Sequence, residues 1–119
     1  MNDQSGPEPL HPERLTWTAL LGHWVAFARN AVGLPDDAEG QRMRASVADV
    51  IMLQAVWFAL QQVDELDRAE RALGLDRAAV LIEKHAAALE QRWQGQAMPE
   101  AMRGLIDDAR AMLKAKEGA

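Results

Sequence analysis

Residues 50–60 read VIMLQAVWFAL, eleven positions of which only Gln54 is polar. The flanks are charged, from Gln41 to Arg44 upstream and from Asp64 to Arg71 downstream. Neither glycine nor proline occurs between Gln41 and Leu73, and nothing there alternates as a half-buried strand would. A single helix is therefore expected across the whole stretch, reaching roughly 50 Å at about 1.5 Å per residue. An apolar band that encircles the middle of such a rod has to be covered by something.

On the N-terminal side, Trp17, Leu20, Leu21, Trp24, Phe27, Ala28, Ala31 and Val32 recur at three- and four-residue steps, opposite a polar stripe of Thr16, His23 and Asn30. This is a helix with a wide apolar arc, expected over 13–32. Gly33 and Pro35 end it. Before it, Gly6, Pro7, Pro9 and Pro12 make residues 1–12 a disordered, flexible tail. Asp36, with Glu39 three residues on, reads as an acidic capping box that opens the long second helix, expected over 36–73.

Gly74 reads as the C-terminal cap of that helix, and Leu75 and Asp76 as staple and N-cap of a third, expected over 76–94. Its apolar stripe is Ala78, Leu81, Ile82, His85, Ala86, Leu89 and Trp93. Gly95 stops it, and Pro99 suits the first position of a fourth helix over 99–116, with Met102, Leu105, Ile106, Ala109, Met112 and Leu113 on one face. The fold expected is one all-α domain over 13–117, an antiparallel four-helix bundle-like arrangement with a long second helix and short loops.

Composition narrows the function classes. With 119 residues, 49% of them hydrophobic, the chain can bury a core without metal or disulfide, and it has no cysteine. A net charge of −5 opposes binding to nucleic acid. No uninterrupted apolar run approaches the roughly 20 residues of a membrane span, and residues 1–13 lack the basic start and apolar core of a signal peptide. A soluble, cytoplasmic protein with no membrane partner is expected.

Links as short as 33–35 and 74–76 would lay the first and third helices on opposite halves of the second and leave its central band partly bare. The simplest cover is a second copy, an isologous homodimer through helices one and two burying about 800 Å² per chain. Trp17, Leu21, Trp24, Met52, Gln54, Val56, Trp57 and Gln61 are the candidate interface or core residues. Gln54 and Gln61, seven apart, are expected to fix register across a helix pair.

Catalytic chemistry finds no support in the motifs. No expected helix holds a Glu-x-x-His pair, His11 lies in the tail, and there is no His-x-x-x-His pair to hold a metal, no glycine-rich phosphate loop, and no base beside Ser5 or Ser46. No catalytic, metal or cofactor residues are therefore assigned, and the expected function is a non-enzymatic protein-interaction module. The competing expectation is a small apolar ligand-binding or enzyme domain, with a Trp- and Met-lined cavity near His85, Trp93 and Met102. His85 itself reads more simply as a partly buried histidine with one backbone partner.

Overall fold

The computed structural model describes residues 17–118. The expected tail at 1–12, the start of the first helix at 13 and the side chain of Trp17 lie outside the described residues. Within them the chain is all α, with α1 at Trp17–Val32, α2 at Ala38–Gln62, α3 at Arg68–Arg92 and α4 at Glu100–Glu117. A single turn of 3-10 helix, Val63–Glu65, follows α2.

The largest departure from expectation is where the long helix ends. It stops at Gln62, and Gly74, expected as a cap, lies inside α3. Leu66 is extended, and the Asp67 carboxylate accepts from the Glu70 amide at 2.9 Å, so the N-cap is Asp67 and not Asp76. A glycine inside a helix costs only about 1 kcal/mol. A good N-cap contributes a comparable amount, and the remainder comes from burying Leu75 and Ala78, which the continuation of α3 achieves. Asp64 pairs with Arg71 and Lys116, and Asp67 is committed to the cap.

The N-cap of the second helix also falls one residue later than expected. Asp37 is its N-cap, accepting from the Gly40 amide at 2.7 Å. Asp36 instead pairs with Arg44, whose guanidinium also donates to the Leu34 carbonyl at 3.1 Å and so straps the α1–α2 loop to α2. Gly95, with φ of +79°, does end the third helix region as expected.

Moving the break has a large consequence for packing, because α3 is now as long as α2, 25 residues each. Contacts between them run in opposite sequence order: Ser46 meets Trp93, Asp49 meets His85 and Arg92, and Val63 lies beside Gly74. The α3–α4 contacts do the same, with Arg103 on Glu90, Arg110 on Glu83 and Arg71 on the Lys116 carbonyl. The core is one cluster with Leu53, Ile82, Leu89 and Ile106 fully buried at its centre.

The band at 50–60 is therefore covered within one chain: Val50, Leu53, Val56, Phe58 and Leu60 are buried, and of the rest only Ala59 is exposed. The expectation that a lone chain leaves this girdle partly bare is met only along a narrow strip, with Met52 and Ala55 half-buried and Ala59 exposed, because the full-length α3 covers more of the band than a short third helix would. By length and composition Ala38–Glu65 is long and apolar enough to cross a bilayer. In the fold it packs against the other three helices.

Candidate functional site

Successive residues of a helix are turned by about 100°, so the neighbours of α2 can be placed around its axis. Ser46, Asp49, Leu53, Val56 and Leu60 share the side that meets α3. Val50, Gln54 and Trp57 turn toward α4, sharing cavity walls with Ala101 and Leu105. Gln54 also meets α1, where its Oε1 accepts from Trp24 Nε1 at 2.6 Å. What remains is a side occupied by Ala45, Ala48, Met52, Ala55 and Ala59, stepping by three and four; three of the alanines are exposed and Met52 and Ala55 are half-buried.

The first helix has the same asymmetry. Trp24, Phe27 and Ala31 form its inner stripe, and His23 with Phe27 faces the α4 residues Met102 and Leu105 across a cavity. On the other flank run Leu21, Val25, Ala28 and Val32, a second apolar stripe at alternating four- and three-residue steps. Leu21, Val25 and Val32 are 58%, 43% and 78% exposed. This stripe lies on the side of α1 away from α4, as the alanine stripe lies on the side of α2 away from α4. Together they border one open face. From Ala45 to Gln62 the only charged residue of α2 is Asp49, which is turned to α3, and α1 carries only Arg29.

The α3 edge of this face is a polar seam. Asp49 is 9% exposed; its Oδ1 lies 2.8 Å from His85 Nδ1, and its Oδ2 accepts from Arg92 Nη1 at 2.8 Å. Burial alone would raise the Asp49 carboxyl, but the hydrogen bonds to His85 and Arg92 and the Arg92 charge outweigh it and hold the group below the usual carboxylate range. An ionised carboxylate only accepts, so His85 Nδ1 carries the shared hydrogen. Alongside, Trp93 Nε1 donates to the Ser46 hydroxyl at 3.0 Å, which in turn donates to the Arg42 carbonyl at 2.8 Å. The Arg42 guanidinium sits 5.3 Å from the centre of the Trp93 ring.

Chemically this seam joins helices. Ser46 is fully buried, and its hydroxyl is spent on Trp93 and its own helix, not on His85. The expected backbone partner of His85 is replaced by a carboxylate from α2. The residues proposed for one cavity, His85, Trp93 and Met102, are not brought together around one. Trp93 borders a cleft of about 540 Å³ at the end of α3, Met102 lines a separate cavity of about 200 Å³, and His85 lines neither. His23, expected on a solvated stripe, is half-buried in the wall of the second. Among the described residues no three His, Asp or Glu side chains gather as a metal-binding set.

The candidate interface residues divide. Val56 is core; Leu21 and Met52 lie on the open face; Trp24, Gln54 and Trp57 lie on the sides turned to α1 and α4. The two glutamines do not act alike, since Gln54 finds its partner inside the chain, whereas the buried amide of Gln61 has no hydrogen-bond partner among the described residues. An unsatisfied buried amide costs about 1–3 kcal/mol, so Gln61→Leu is expected to raise unfolding stability by about 1 kcal/mol. Gln54→Leu, which orphans the Trp24 indole, is expected to lower it by a similar amount; urea denaturation of the two variants measures both signs.

No family model, curated protein or solved structure matches this chain.

Proposed function

We propose that this chain is a non-enzymatic helical interaction module that associates with a second copy of itself through the open face of α1 and α2. The observation that carries the reading is the exposed second stripe of α1, Leu21, Val25 and Val32, set beside the alanine stripe of α2. A helix that is apolar on two flanks needs cover on both, and α2 supplies only one. Alanines allow a partner helix to approach closely.

Two features favour a second copy over other occupants. The face has almost no charge, so it offers little to an acidic or basic partner, to phosphates or to an anionic membrane surface. A strip about 20 Å long and two helices wide, roughly 20 Å, supplies about 400 Å² per chain, about half of what each partner contributes to a standard interface and in the range of a weak, micromolar dimer.

Light scattering at about 10 µM, a concentration suited to micromolar affinity, should give the mass of two chains. Val25→Glu and Ala48→Glu each place a charge at an exposed position of the face and should give one chain with unchanged helical content. A parent protein that keeps the mass of one chain, or that associates only with lipid vesicles, overturns the reading.

A further inference from the structure

The cavity shared by α1, α2 and α4 measures about 200 Å³ and lies on the opposite side of α1 from the open face. Its walls are built largely from Phe27, Met43, Val50, Met102 and Leu105. Among the described residues only two polar side chains, His23 and Gln54, reach it, and no Asp, Glu, Lys or Arg does. We propose that this cavity binds a neutral molecule with a single aromatic ring and one hydrogen-bond acceptor.

Size sets the ring count. An apolar protein cavity of about 150 Å³ admits benzene, so the volume here leaves room for a ring and two or three further heavy atoms. Charge is disfavoured, since among the described residues the walls hold no opposite charge to replace the hydration that an ion would shed there. Phe27 offers an aromatic edge or face, and Met43 and Met102 are unbranched and polarisable side chains that adapt to a flat guest.

The acceptor follows from Gln54. Its Oε1 is taken by the Trp24 indole, and that bond sets which end of the amide is which. The Nε2 hydrogens have no protein partner among the described residues and are open to solvent, so this cavity-lining side chain is able to donate to an acceptor on a guest. A guest seated there touches α1, α2 and α4 at once and adds a connection between α1 and α4.

Acetophenone is the probe with both features, ethylbenzene its near-isostere without the acceptor, and benzoate its charged counterpart. Titration into the whole chain, followed by two-dimensional amide NMR and thermal shift, should show acetophenone moving the Gln54 side-chain amide and the Trp24 indole resonances and raising the melting temperature. Ethylbenzene should bind about tenfold more weakly, the worth of one hydrogen bond, and benzoate should produce neither effect. Gln54→Leu should abolish the preference for acetophenone while retaining ethylbenzene. Ala101→Trp, at an exposed position on the cavity wall, should block both guests with the fold intact. Overturning results are a folded parent that responds to neither neutral probe, perturbations confined to residues outside the cavity, or a Gln54→Leu protein that keeps the full preference.

Discussion

Replacing Asp49 with alanine should lower the unfolding free energy by about 3 kcal/mol, the cost of removing one member of a buried, charge-assisted hydrogen-bond set and leaving the others stranded. Both its oxygens are engaged, and His85 and Arg92 lie largely inside the α2–α3 seam. For a chain of this size the loss corresponds to a fall of roughly 12 °C in melting temperature. The pH dependence gives the same interaction a second signature. The carboxyl is below its ordinary value in the folded state, so its contribution is complete above the unfolded value of about 4 and is lost as the pH falls through the folded one. Glu90 and Asp64, also held low by hydrogen bonds, add to the acid loss. Denaturant melts between neutral pH and pH 3 should therefore show the alanine variant converging on the parent as the acid limb is entered. A variant that melts within a degree or two of the parent at neutral pH would mean that the seam does not hold α3 to α2.

Gly40→Ala should destabilise by about 2 kcal/mol even though alanine is the better helix former by about 1 kcal/mol. Gly40 is buried in the first turn of α2, where a Cβ would overlap the Pro35 carbonyl oxygen and come within 3.2 Å of the Asp37 carboxylate that caps the helix. Neither neighbour is a flexible tip. Backbone of the α1–α2 loop would have to move, and the Arg44 strap with it. Gly104→Ala is the matched comparison, since a Cβ there meets no atom within 4 Å and the change should gain about 0.5–1 kcal/mol. Thermal unfolding of the pair tests the argument through opposite signs, and a stabilised Gly40 variant would refute the close approach.

The helical class, the end of α1 and the limits of α4 were legible because they rest on local signals: Gly33 and Pro35 after the first helix, Gly95 and Pro99 before the last. The break at 63–67 was missed because two local signals competed. Asp67 with Glu70 has the spacing of a capped start, but Gly74 with Leu75 and Asp76 reads equally well, and only tertiary burial of Leu75 and Ala78 decides between them. The polar seam was half visible. His85 and Arg92, seven apart, occupy one flank of a helix, and Asp49 is the only acid between Arg44 and Asp64. Their meeting depends on how α3 folds back, which the misplaced break hid. The Trp24–Gln54 bond and the cavity beside it were not legible at all, since both depend on which flank of α1 turns inward.

The spacing of charges along α3 and α4 bears on how these two helices find their alignment. Glu83 and Glu90 are seven residues apart, as are Arg103 and Arg110, and Arg110 already reaches both acids. A comb with evenly spaced teeth meshes as well two turns along as in its proper place, so these rungs reward contact without choosing an offset. The choice falls to side chains of unequal bulk, Met102, Ile106 and Ala109, seated against the core around Ile82 and Leu89. Trimming Ile106 would then blur the alignment of the final helix with its rungs still made, whereas neutralising an arginine would loosen that helix without displacing it.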